Sequence, residues 1–196
     1  ETSLLFGRQY EDSTNGIQYT QGAVDYITQY GNTFSLDIAT KTADDFLDDM
    51  SNLLDPRYND STATVFMVCT AVFNWMHKIG GYFKNNLEIS SNLRADFAMT
   101  GKKKVLGIDV TTFSTPYGDM NVTRNIHLDG TGVKMLGINL KYCSYRPLVG
   151  NGINRDTSVY VGVQTLENSG VDRRVDLILT EAGMEWSMPE CHAIWS

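Results

Sequence analysis

ATVFMVCTAVFNWMHKIGG, residues 63–81, joins a β-type run directly to a helical one. Thr64 to Cys69 is a continuous apolar stretch of the length of a buried strand. From Thr70, a plausible cap, Val72, Phe73, Met76 and Ile79 recur at helical spacing, with Gly80-Gly81 as the expected stop. Such a junction is where many α/β enzymes hold a phosphate or a nucleophile, so Cys69-Thr70-Ala71 decides between a fold built round a ligand and one built round packing. A phosphate-binding turn needs glycines that let backbone N–H groups approach the anion, and a nucleophile elbow needs a Gly-x-Ser-x-Gly environment for its strained turn. The junction has neither. Cys69 ends an apolar strand with no histidine beside it, the setting of an inert buried thiol.

Upstream, the pattern over 42–54 predicts a helix. Thr42 is placed to cap it with Asp45 three residues on, Phe46, Leu47, Met50, Leu53 and Leu54 recur at helical spacing, and Pro56 follows. Asp44, Asp45, Asp48 and Asp49 suggest a cation site, but acids in a first turn complement the helix dipole and a polar face ordinarily carries charge. Residues 1–40 read as short β-like pieces (Leu4-Leu5-Phe6, Ile17 to Tyr19, Thr33 to Ile38) around turns such as Ser13-Thr14-Asn15-Gly16. Apolar residues there are too sparse for a core of their own, so the region is expected to pack on something else, a partner subunit being one candidate. Downstream the chain becomes β. Val105 to Thr115 leads through Pro116-Tyr117-Gly118-Asp119 into alternating Met120, Val122, Ile126 and Leu128, a hairpin with one wet face. Further β segments are expected at 133–145, 159–166 and 171–180, and a final strand within EAGMEWSMPECHAIWS.

A chain of 196 residues, 42% apolar and 20% charged, suits one sizeable core and argues against general disorder. The net charge of −7 leaves GKKKV at 101–105 as the only basic cluster, read as a solvated loop, and argues against direct nucleic-acid binding. Cys69, Cys143 and Cys191 are odd in number and widely spaced, which fits a reducing compartment and neither a disulfide framework nor a zinc site. The chain starts without Met, pointing to a missing N-terminal segment, and shows neither a signal peptide nor a membrane span. The sequons at Asn59 and Asn121 read as chance matches.

Candidate chemistry is thin. His77, His127 and His192 lie on three separate elements without the i, i+4 partner of a helical metal pair. No catalytic, cofactor-binding or metal residue is assigned, and no cofactor is expected. Glu181 with Glu185, or Asp176 with Glu181, could form an acid–base pair for glycoside hydrolysis, which keeps a carbohydrate-active enzyme as the alternative. Tyr26, Tyr30, Trp75, Tyr82, Phe83, Tyr142, Tyr145, Trp186 and Trp195 could line a sugar groove or supply protein interfaces. Contiguity on one concave surface would discriminate between the two.

The order of elements carries more. Leu5-Phe6-Gly7, Thr20-Gln21-Gly22 before an apolar stretch, an acidic helix ending in Leu53-Leu54-Asp55-Pro56, the strand–helix unit, the Thr115-Pro116-Tyr117-Gly118-Asp119 turn and Glu181-Ala182-Gly183-Met184-Glu185 near the end follow one another across the chain. In this order the chain resembles the major capsid (head) proteins of tailed bacteriophages, with the Hong Kong 97-like fold. The resemblance implies an α+β, β-rich protein with an extended N-terminal loop (1–40), a spine helix of a peripheral domain (41–62), a mixed α/β axial domain with peripheral strands interleaved (63–180) and a C-terminal strand segment (181–196). Such proteins usually carry a longer arm and spine helix. The resemblance further implies a non-enzymatic virion protein, assembled in the host cytoplasm into hexamers and pentamers of an icosahedral shell. Leu4, Leu5, Phe6, Arg8 and Tyr10 would be subunit contacts. Partners would be copies of itself with decoration, scaffolding and portal proteins; packaged DNA would be touched only weakly, and no membrane is involved. A tail tube or decoration protein is the nearest structural competitor.

Overall fold

The computed structural model describes residues 2–59, 63–85, 98–105, 108–150, 152–164, 170 and 174–196. Among the described residues four helices, α1 (Thr2–Phe6), α2 (Ala23–Tyr30), α3 (Ala43–Leu53) and α4 (Thr70–Asn85), stand with fifteen strands. Seven of these make the main sheet. Their order is β3 (Asn32–Phe34), β15 (Ala193–Trp195), β8 (Met135–Asn139), β4 (Thr64–Val68), β7 (Gly118–Arg124), β6 (Ile108–Thr115) and β5 (Ala98–Val105). The pairs β3–β15 and β4–β7 are parallel and the other four antiparallel, so the sheet is mixed. Every residue of β8 is buried, as expected of a central strand covered on both faces.

The strand–helix unit at 63–81 is a packing unit. Phe66, Val68, Val72 and Met76 enter the core together with Phe46, Met50 and Leu53 of α3. Where an anion would sit at the start of α4, the chain supplies its own: Asp129 accepts from the Thr70 amide (2.7 Å) and hydroxyl (2.6 Å). The Thr70 bonds, hydroxyl first, hold this carboxyl below the usual carboxylate range. Helix α3 forms where its pattern predicts, with Thr42 and Asp45 in a reciprocal capping box. The turn at Pro116-Tyr117 joins β6 to β7, with Thr115 opposite Gly118 and Met120 and Val122 fully buried.

Several expectations are corrected. Leu4-Leu5-Phe6 is helical, within α1, and the apolar stretch after Thr20-Gln21-Gly22, to which the sequence pattern assigns no element, is the helix Ala23–Tyr30 between Gly22 and Gly31. Helix α4 runs through Gly80-Gly81 to Asn85; glycine inside a helix costs only about 1 kcal/mol, too little to stop one held by packing. Ile126 and Leu128 lie in a 3-10 turn, so the alternation of β7 ends at Arg124. GKKKV is the end of strand β5 rather than a loop, and β5 stands last in the order of the main sheet. Nor do residues 1–40 lack a core: Ala23, Ile27 and Leu36 are completely covered by this chain, and Leu5 and Phe6 pack on the same cluster.

Trp195 is the hub of that cluster. Its ring lies 5.1 Å from Phe34, 6.3 Å from Phe46 and 6.2 Å from Phe66, centroid to centroid. Its indole N–H donates to Asp49 (3.0 Å), which also pairs with Lys41 at 2.8 Å. Truncation would leave a large cavity and remove the Trp195–Asp49 bond. Trp195→Ala is expected to destabilise the chain by about 3–5 kcal/mol, measured by denaturant unfolding.

Candidate assembly surfaces

Three of the short motifs, remote in sequence, meet at one point. The Gly22 amide donates to the Gly7 carbonyl at 2.8 Å, bringing Leu5-Phe6-Gly7 against Thr20-Gln21-Gly22. The approach is so close that a Cβ on Gly22 would stand 2.7 Å from the Gly7 nitrogen, and one on Gly7 would stand 2.3 Å from the Ser3 carbonyl oxygen. Only glycine fits either place. On the other side the Thr20 hydroxyl accepts from the Met184 amide (3.0 Å), within Glu181-Ala182-Gly183-Met184-Glu185. The Trp186 indole N–H donates to the Gln21 carbonyl (3.2 Å) and stacks on Tyr26.

This node closes the base of a hairpin. β1 (Tyr10–Asp12) and β2 (Ile17–Tyr19) pair with Tyr10 opposite Tyr19 and Asp12 opposite Ile17, so these four share one face. Tyr10 is 53%, Ile17 41% and Tyr19 61% exposed. Of the five residues expected at subunit contacts, Leu5 and Phe6 turn toward this chain's own core, Leu4 is half-buried, and Arg8 and Tyr10 stand in water. Ile17 and Tyr19 belong with Tyr10 on this face. Their alternation around Asn15-Gly16 could have revealed it.

The acid–base alternative finds no support in the geometry. Glu181 pairs with Arg155, Glu185 with Arg146 and Asp176 with Arg174. The Arg174 bond, followed by one from the Gly162 amide, holds Asp176 below the ordinary carboxylate range, opposite to what a proton donor needs. A shallow cavity of about 360 Å³ beside α3 is lined by Ser35, Asp37, Thr40, Lys41, Asp45, Asp48 and Asp49. Three of its four acids are engaged in holding the chain: Asp37 accepts from Ala39 and Thr40, Asp45 belongs to the capping box, and Asp49 holds Lys41 and Trp195. Among the described residues no group of three or more His, Cys, Asp or Glu could hold a metal, and no helix is long and apolar enough to cross a membrane.

The aromatic residues are dispersed. Trp195 is in the core, Trp75 packs edge-on against Phe46, Tyr26 and Trp186 sit at the motif node, and Tyr145 reaches Asp156 on an outer strand. The side chains of Tyr82 and Phe83 lie outside the described residues. Cys143 and Cys191 are thiols pushed up by burial, Cys143 to about 11, while Cys69 is buried. Asn59 is buried with its amide bonded to Leu53, Thr64 and Asn139, which closes that sequon.

His192 is fully buried beside the node. The Asn139 amide donates to its Nδ1 (3.3 Å) and its Nε2–H donates to the Ser187 carbonyl (3.1 Å), while Tyr26 and Trp186 meet the ring edge-on. This arrangement suits only the neutral imidazole, and burial lowers the histidine's affinity for a proton.

What the described residues converge on is a set of close backbone contacts that hold two-stranded pairs at their bases. The SU10 major capsid protein family model matches residues 1–196, and the chain belongs to that family of phage major capsid proteins. It is a structural component of the capsid, located in the virion, and assembles with copies of itself into a shell. No curated protein matches the chain.

Two outcomes follow for the node. Gly22→Ala would drive a methyl group into the Gly7 backbone. It is expected to cost about 1–3 kcal/mol and to open residues 2–19 to limited proteolysis. For His192, the unfolded chain takes up a proton near pH 6.5 whereas the folded chain resists it. Its contribution is therefore full above that pH and declines as pH falls toward the lowered folded value. Thermal melts between pH 7.5 and 5 should show this decline, and His192→Gln, though less stable at pH 7.5, should show a flatter one.

Proposed function

We propose that this chain is the tile of an icosahedral phage head and adopts the Hong Kong 97-like fold. The reading is carried by the base-clamped β1–β2 hairpin. Its exposed apolar face lies on an element that adds nothing to the chain's own core, as a surface meant for a neighbour would. In this reading the extended loop narrows from residues 1–40 to the hairpin between Gly7 and Thr20, with Arg8, Tyr10, Ile17 and Tyr19 as contacts. Helix α3 is the spine helix of the peripheral domain at 41–62. Residues 63–180, with the strand–helix unit and most of the main sheet, form the axial domain with peripheral strands interleaved. Residues 181–196 close the structure.

Subunits assemble in the host cytoplasm as hexamers and pentamers, each contact modest and the shell secured by their number. Decoration, scaffolding and portal proteins are further partners. A net charge of −7 suits a container that must not grip its packaged DNA, because like charges leave contact weak and tolerant of salt. The protein performs no catalysis.

The test is to express the full-length protein, alone and with a scaffolding partner, and to examine it by negative-stain electron microscopy and sedimentation. Closed shells, or rings of five and six subunits, are the expected result. A monodisperse monomer or dimer under both conditions would overturn the reading.

A further inference from the structure

Beyond the main sheet, the described residues between Cys143 and Trp186 form three small antiparallel pairs. β9 (Cys143–Pro147) pairs with β14 (Ala182–Trp186), β10 (Val149–Gly150) with β11 (Ile153–Asn154), and β12 (Ser158–Gln164) with β13 (Val175–Leu179). A two-stranded ribbon is marginally stable in water unless something packs on it. The β12–β13 ribbon is apolar on both faces. Val159 and its cross-strand partner Ile178 are 60% and 69% exposed, with Val161 at 63% two residues along; Tyr160 and its partner Leu177, both 46% exposed, point the other way. Val159, Val161 and Ile178 thus stand together on one exposed face, and Tyr160 and Leu177 on the other, where an ordinary surface carries such side chains singly.

We propose that this ribbon is a docking arm that lies against a second copy of the chain in the assembled shell. The inference rests on the capsid reading and assigns it a contact surface that no sequence motif marked. Charge selects the occupant. Asp176 is neutralised by Arg174 on the ribbon itself, and at its base Glu181 and Glu185 are neutralised by Arg155 and Arg146. Over the described residues the exposed surface is therefore apolar, with its acids paired. It fits another balanced apolar protein surface, not a nucleic-acid backbone or an anionic membrane. A second copy carries two such surfaces, its own ribbon and the Tyr10, Ile17 and Tyr19 face. The ribbon is also held ready for docking. Leu148 donates to Glu181, Glu181 to Arg155 and Arg155 to Leu148, all through backbone groups, which ties the three pairs at one junction. Gly162, at φ +71° within an irregularity of the ladder, donates to Asp176 and fixes the ribbon's twist. An arm fixed in advance loses little freedom on docking.

The test uses Val161→Glu and Ile178→Glu in the full-length protein, with the wild type assembled in parallel. Both side chains already face water in the free subunit, so its melting temperature should stay within a few degrees, while shell yield by sedimentation and microscopy falls at least tenfold. Ile178→Val should assemble like the wild type. In wild-type protein, hydrogen exchange across 158–164 and 175–179 should be slower in shells than in free subunits. Glutamate variants that assemble as well as the wild type, or exchange that is unchanged by assembly, would overturn the docking arm and leave the capsid reading standing; the ribbon would then belong to an accessory protein. Failure of the wild type itself to form shells would overturn the capsid reading, and the arm with it.

Discussion

The structure depends on where its last strand goes. β15 enters between β3 and β8, parallel to one and antiparallel to the other, and so joins the first forty residues to the rest of the sheet. The backbone bonds continue past the strand: Ser196 donates to Phe34 and accepts from Leu36, and Trp195 accepts from Lys134. On this frame the Trp195 ring fills the space between α3 and the sheet, and its one polar atom is satisfied by Asp49. A buried indole whose N–H lacked a partner would forfeit much of what its ring contributes, so the Lys41–Asp49–Trp195 chain allows so large a side chain at the centre.

The same economy governs the surfaces. Each projecting strand pair is held at its base by short-range backbone contacts, at Gly7 and Gly22 for the hairpin and at Leu148, Arg155 and Glu181 for the ribbons. The hairpin exposes Tyr10, Ile17 and Tyr19 on its strands and the ribbon exposes Val159, Val161 and Ile178 on its own. Rigid bases and apolar faces suit an assembling subunit, because weak contacts must add across many copies without losing affinity to reordering of each arm.

Local signals made much of this legible. The capping box and apolar period revealed α3, and the Pro-Tyr-Gly-Asp turn revealed the β6–β7 hairpin, because both are settled by neighbours in sequence. Helix α1 has five residues, too few to show a period, and α2 is rich in Val, Ile, Thr and Tyr, whose β preference masked the Ala23 and Ile27 pair between two glycines. The order of motifs pointed to the family, but neither the meeting of Gly7, Gly22 and Thr20 with residue 184 nor the placing of β15 between β3 and β8 has a local signal. The β12–β13 surface was hidden for the opposite reason: alternating Val and Ile read as ordinary strands, and only the fold shows that nothing covers them.

The insertion of β15 also orders events in time. Strands β3 and β8 are separated by about a hundred residues and acquire their common neighbour only once β15 has been made, so the sheet cannot close before then. Until then Phe34, Phe46 and Phe66 lack the indole that packs among them. A polypeptide interrupted before that point has no finished surface to offer. The position of one short strand thus makes closure of the sheet depend on segments from both ends of residues 32–195.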